Sequence, residues 1–169
     1  MEALELAAVL RERCGVPAYV RSSGEVLATS GGGYSSVLVF DQFVVKTWID
    51  LAYSDWLRFV MAADKGKPYY EHLPRVIWAD LDLHIAILER LHDTYSCELP
   101  SLFSDFCAVR SGRPEKCEIR WAAALFQDMR AAGLFSRHRE DLHSGNRMFR
   151  YDGRRKVIVV TDPIAPEAP

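Results

Sequence analysis

The chain has no Cys-x-x-Cys pair: its four cysteines, Cys14, Cys97, Cys107 and Cys117, stand apart. That spacing argues against zinc ligation and for buried, reduced thiols of a cytosolic protein. An excess of charge of one sign is also missing. Lys and Arg number 21 against 23 Asp and Glu, a formal net charge of −2. Such a balance gives no electrostatic ground for binding nucleic acid or a membrane surface. No apolar run approaches the roughly 20 residues that cross a bilayer. The opening Met1-Glu2-Ala3-Leu4-Glu5-Leu6 lacks the basic start of a secretory leader, so the expected location is cytoplasmic. There is no internal repeat, low-complexity tract or long linker. What is present is an ordinary globular composition, 49% apolar and 26% charged. At 169 residues it suits one compact domain or two small lobes sharing a cleft.

The densest chemistry lies near the C-terminal end, in Asp141-Leu142-His143-Ser144-Gly145-Asn146, with Thr161-Asp162-Pro163 following. Between them Met148, Phe149 and Tyr151 lead into Asp152-Gly153, and Lys156 to Val160 leads out. Asp-Gly between two such runs predicts a β-hairpin. A hairpin brings its ends together, so Asn146 and Asp162 should be neighbours, with Asp141 beside them. Hard oxygens from an Asp and an Asn suit Mg²⁺, which keeps waters and substrate phosphates as its other ligands. Taken singly, Asp141 could cap a turn, Asn146 could be a turn residue and Asp162 could end a strand. The joint spacing favours a site.

Asp-x-x-x-x-Asn followed by a later Asp resembles the catalytic loop of the protein-kinase-like superfamily. The wording Asp-Leu-His-x-Gly-Asn is closer to the aminoglycoside-phosphotransferase branch and to small atypical kinases. It is also similar to short kinase-like proteins of bacteria and their phages that end soon after an Ile/Val-Thr-Asp-Pro segment. The likeness runs over roughly residues 25 to 165, and its specific part is the C-terminal stretch. It implies an α+β, minimal two-lobed fold. Residues 1–91 would form an N-lobe: an N-terminal helix over 2–13, an antiparallel sheet and a helix over 51–66. Residues 92–169 would form a truncated C-lobe, with a core helix over 118–132, a catalytic loop over 141–146, a hairpin over 147–161 and the metal-binding Asp162.

Within that frame Gly31, Gly32, Gly33, Tyr34 and Ser35 make a glycine-rich turn between strands 25–30 and 37–40. Glycines there let backbone amides approach phosphate. Lys46, in Val44-Val45-Lys46-Thr47-Trp48 on the next strand, takes the place of the family's phosphate-contacting Lys, on the face opposite Val45. The helix over 51–66 carries an apolar stripe of Tyr53, Trp56, Leu57, Val60 and Met61 but no Glu. Asp55 is the expected partner of Lys46, with Asp64 as the other choice. Two strands, 73–78 and 84–89, turn at Ala79-Asp80. The backbone from Glu89 to Leu91 falls at the inter-lobe hinge, where adenine would bond. A short helix over 99–109 follows. The helix over 118–132 is apolar around nearly its whole circumference, as a central core helix would be, and Gly133 ends it.

The resemblance therefore implies a phosphotransferase using ATP and Mg²⁺. Asp141 would be the base or orienting acceptor, Asn146 and Asp162 the metal ligands, and Lys46 the phosphate contact. His143 could contact phosphate or pack. The expected acceptor is a protein hydroxyl, as for a phage protein acting on a host factor. The chain also departs from the pattern. Ser36 stands where the third loop glycine would be, Arg139 where the family's His-x-Asp histidine would be, and Pro163-Ile164 follow the metal Asp. With seven residues after Asp162, the family's usual peptide-binding platform is not expected in this sequence. Two other readings stay open: a pseudokinase that acts by binding a partner, and a small-molecule kinase of the aminoglycoside type. The oligomeric state is left open.

Overall fold

The computed structural model describes residues 28–31, 35–92, 102–142 and 146–166. The expected helix over 2–13, the first residues of the strand at 25–30, Gly32, Gly33, Tyr34, residues 99–101 and His143 lie outside them. The fold is α+β, with strands paired antiparallel throughout the described residues. No helix among them is long and apolar enough to cross a membrane. The chain divides into two compact units. One comprises the residues up to Ile49 with Arg75–Arg90; the other comprises Asp50–Pro74 and Leu91–Pro169.

The first unit is a five-stranded sheet in the order β1-β2-β3-β5-β4. Its strands are β1 (Ala28–Gly31), β2 (Ser35–Val39), β3 (Phe43–Trp48), β4 (Val76–Asp80) and β5 (Ile85–Glu89). Alternation along β3 sends Phe43 and Val45 to one face, where they pack with Phe40, Ile85 and Ile87. Phe40 and Phe43 stack at 4.6 Å. The β4–β5 turn lies further on than Ala79-Asp80, because Asp80 is still paired and its Oδ1 accepts the Leu83 amide at 3.0 Å. His84 closes that turn with φ 54, so β5 starts one residue later than its composition suggests. A left-handed histidine is uncommon. Here its ring stacks on Trp48 at 5.7 Å and its carbonyl accepts the Trp48 amide at 3.2 Å.

Among the described residues the second unit holds four α-helices, two 3-10 turns and four short strands. Helix α1 (Leu51–Ala62) starts at Asp50, whose side chain accepts the Tyr53 amide. It ends at Ala62, four residues short of the expected 66, with Ala63 as its cap before the Asp64–Gly66 turn. Tyr53, Trp56, Leu57 and Val60 form its buried stripe, while Met61 is 54% exposed. The segment 50–74, expected in the first lobe, packs with this second unit. Helix α2 (Phe103–Arg110) contains the buried Asp105. Both oxygens of that carboxylate accept amides, from Glu118 and Ile119, and so fix the chain entering α3 (Arg120–Ala131). Only one stripe of α3, Ala122, Leu125, Phe126 and Met129, is fully buried. The expected all-round burial is replaced by a one-sided one: Gln127 and Arg130 face solvent, and Trp121 is half-buried beneath the ring of His72 at 3.8 Å. Gly133 follows α3 at φ 74, as a helix-ending glycine should. Helix α4 (Leu134–Arg137) then leads into the strands that carry the site.

Candidate active site at the Asp141–Asn146–Asp162 corner

Two short ribbons make the corner. Strand β6 (His138–Glu140) pairs with β9 (Ile164–Pro166), and β7 (Arg147–Asp152) pairs with β8 (Arg155–Val160). The hairpin is as expected, but its turn falls one residue later: Asp152 is still paired with Arg155, and Gly153, at φ 61, and Arg154 make the loop. Each ladder runs one bond past its strands. Thr161 donates its amide to the Asn146 carbonyl at 2.9 Å, and Asp141 donates its amide to the Pro163 carbonyl at 2.8 Å. The chain from 155 to 166 therefore changes partner at one residue, Asp162. Asp141 and Asn146 are the two ends of the loop joining β6 to β7. The Asn146 side chain ties them together, donating Nδ2–H to the Asp141 carbonyl at 2.8 Å. The three residues singled out by spacing are thus brought to one place.

That last bond orients the amide. A carbonyl oxygen can only accept, so Nδ2 must face Asp141 and Oδ1 must point the other way. The corner thereby holds an amide oxygen turned away from Asp141, on a residue whose hydrogen-bonded neighbours are Asp141 and Thr161, the residue before Asp162. The Oδ1 atom of Asp162 is shielded from solvent. Among the described residues, no group of three or more His, Cys, Asp or Glu side chains gathers as metal ligands. The donors at the corner are hard oxygens, one of them from an amide. They fit a Mg²⁺ that keeps most of its shell as water or phosphate.

No family model matches this chain, and neither does any curated protein or solved structure.

Helix α1 supplies groups that spacing did not reveal. Trp56, fully buried, donates Nε1–H to the Thr161 carbonyl at 2.9 Å. Tyr53 is buried near Asp162. Burial raises its phenol pKa, and the charges of Asp162 and Asp50 push it further up, so it is protonated at any working pH. Neither role has a local signature, because the partners are about a hundred residues away. Asp55, expected opposite Lys46, has its carboxylate engaged within the second unit. Oδ2 meets His138 Nε2 at 3.0 Å and Arg137 at 3.1 Å, and Oδ1 accepts from Arg58 at 2.9 Å. Burial raises this carboxyl's pKa. The His138 hydrogen bond, with Arg137 and Arg58, outweighs that and holds it below its ordinary value. Asp64 accepts the Gly66 amide.

In the first unit Lys46 is half-buried on β3, on the face opposite Val45 as alternation requires, and in register with Val37 and Ala86. Gly31 ends β1 in register with Ser36, and Ser35 opens β2 opposite Trp48. Of the expected glycine-rich turn, Gly31 and Ser35 are therefore strand residues, and Gly32, Gly33 and Tyr34 lie outside the described residues. At the end of β5, the Glu89 amide donates to the Arg75 carbonyl and its Oε1 accepts the Arg75 amide. The Arg90 amide donates to Gln42. Leu91 belongs to the second unit, half-buried, and the next residue, His92, exchanges both backbone bonds with Phe149.

Proposed function

We propose that this chain is an ATP- and Mg²⁺-dependent phosphotransferase of protein-kinase-like, two-lobed design, acting on a hydroxyl group of a protein. The observation that carries this is the convergence of Asp141, Asn146 and Asp162 where the two ribbons meet, with the Asn146 amide oxygen turned away from its bond to Asp141. Asn146 Oδ1 and the Asp162 carboxylate would hold the metal, which neutralises phosphate charge when bound. Asp141 orients the acceptor hydroxyl. As the hydroxyl oxygen bonds to the γ-phosphorus, the bond from that phosphorus to the β,γ-bridging oxygen breaks. ADP leaves with the electron pair, and the hydroxyl proton passes to the Asp141 carboxylate. We assign the ATP phosphates to Lys46 and to backbone amides of the Gly31–Ser35 stretch. Adenine is assigned to the backbone of residues 89–91. The amides of Glu89 and Arg90 are committed to the sheet, which narrows recognition to the other backbone groups there.

The first test is thermal stability under titration with ATP and Mg²⁺. A ligand that binds the native state raises apparent stability by mass action. The expected result is a metal-dependent upward shift with ATP. The second is transfer from γ-labelled ATP, with Asp162→Ala and Lys46→Ala each lowering it by at least about 10²-fold. No shift with ATP and Mg²⁺, or transfer that survives both substitutions, overturns the proposal.

A further inference from the structure

Asp162 is held through its neighbours. The Thr161 amide is bonded to Asn146, and the Pro163 carbonyl is bonded to Asp141. Pro163 restricts the backbone of the residue before it, which is Asp162 itself. The carbonyl of the peptide entering Asp162, that of Thr161, is held from outside the ribbons, by Trp56. An indole can only donate, and this one is fully buried, so it has no exchange with water to fall back on. The adjoining residue, Asp55, reaches the other ribbon through His138, three residues before Asp141. Two consecutive residues of α1 therefore touch both arms of the corner.

We propose that α1 is the positioning element of this site: Trp56 sets the plane of the Thr161–Asp162 peptide, and Asp55 holds the arm that ends in Asp141. The role rests on the phosphotransferase reading for its consequence and on the hydrogen bonds for its geometry. Without the indole N–H, the Thr161 carbonyl is a buried acceptor that has lost its donor, and the peptide can rotate. The Asp162 carboxylate is then less well aimed, while the nucleotide's own contacts are untouched.

The test is Trp56→Phe in the full chain, with Trp121→Phe as control, since Trp121 stacks on His72 rather than meeting the corner. Two quantities are read. One is amide hydrogen exchange at Thr161 and Asp141, residue by residue. The other is the Mg²⁺ dependence of ATP binding. The expected result for Trp56→Phe is exchange at those two amides faster by about five- to tenfold, the worth of one hydrogen bond. Mg²⁺ affinity should weaken by a similar factor, with metal-free ATP affinity unchanged. Trp121→Phe should do neither. Should the Phe variant not fold, benzothienylalanine at position 56 keeps the bicyclic shape and lacks the N–H, and the same two readings apply. Unchanged exchange at Thr161 and Asp141 overturns the positioning role. Wild type with no Mg²⁺-dependent ATP binding overturns the phosphotransferase reading instead, and the exchange comparison still decides whether Trp56 holds the corner.

Discussion

The two units are held together by different means. In the first, five strands in mutual register carry their own backbone hydrogen bonds, and an apolar cluster of Phe40, Phe43, Val45, Ile85 and Ile87 covers one face. In the second, the ribbons have two strands each, too few to stand alone in water. Side-chain bonds to distant segments prop them. Trp56 bonds Thr161, His72 Nδ1 bonds the Ile158 carbonyl at 2.8 Å, and the Arg150 guanidinium bonds the carbonyls of Glu71 and Leu73. Asp105 holds the entry to α3 in the same way. A sheet with a packed face responds mainly to lost volume. A propped ribbon responds mainly to a lost donor or acceptor. The candidate site lies in the propped unit, where one side-chain bond can fix the direction of a carboxylate.

The sharpest contrast comes from a volume deletion. Phe43→Ala removes a ring that is 2% exposed and stacked on Phe40. It should cost about 3–5 kcal/mol, read by denaturant unfolding, with amide protection lost first in β2, β3 and β5. If protection fell equally in the β7–β8 hairpin, the two units would not differ in the way described.

The complementary change removes polarity and little volume. Asp105→Ala leaves the amides of Glu118 and Ile119 without their acceptors. The expected loss is about 2–3 kcal/mol, with exchange rising at the start of α3 and not in the sheet of the first unit. Asp105→Asn should recover part of it, because one amide oxygen can still accept. A smaller effect is expected for Arg150→Met, which keeps an apolar stem and abandons two carbonyls. About 1–2 kcal/mol should be lost, and the tie between β7 and the 71–73 turn should loosen.

The contrast also explains which parts were legible in the sequence. Alternation in Phe43–Trp48 and the Asp-Gly pair at 152–153 are local signals, and both gave their elements, the turn displaced by one residue. The stripe of α1 was legible for the same reason. Spacing put Asn146 beside the 161–162 stretch, because a hairpin's geometry is set by its turn; Asp141 is tied to Pro163 by the other ribbon. The props were not legible. Trp56 read as one more apolar residue, and its N–H partner lies 105 positions away. The β6–β9 ribbon is three residues long on each side and ends in a proline, so no periodicity announces it. The one-sided burial of α3 was hidden as well, since Trp121 has the composition of a core residue and lies under a histidine instead.

The smallest expected effect is a shared dependence on pH, and its sign can be worked out group by group. The carboxyls of Asp55, Asp128 and Glu71 all lie below their ordinary range. For Asp55 and Asp128 burial acts upward, but His138, Arg137 and Arg58 outweigh it for the first and Lys67 and Tyr69 for the second. Arg155 is the leading cause for Glu71. Each therefore contributes stability present above the ordinary carboxylate range and lost as pH falls through its lowered value. His72 is lowered chiefly by burial, against the pull of its bond to Ile158. That carbonyl holds a proton on Nδ1 in either charge state, and it is the burial of the ring that favours neutral imidazole in the folded state. Unfolded chain takes up the proton first, and stability falls as pH drops below about 6.5. All four groups thus act in one direction, and all belong to the second unit. Melting followed from pH 7.5 to 4 should show the second unit weakening first, through His72, and the first unit following later or not at all. His72→Gln, which can keep a donor for Ile158 but does not titrate, should flatten the slope between pH 7 and 5.5. An unchanged slope there would mean that His72 is not the group that links acid to the weakening of the propped unit.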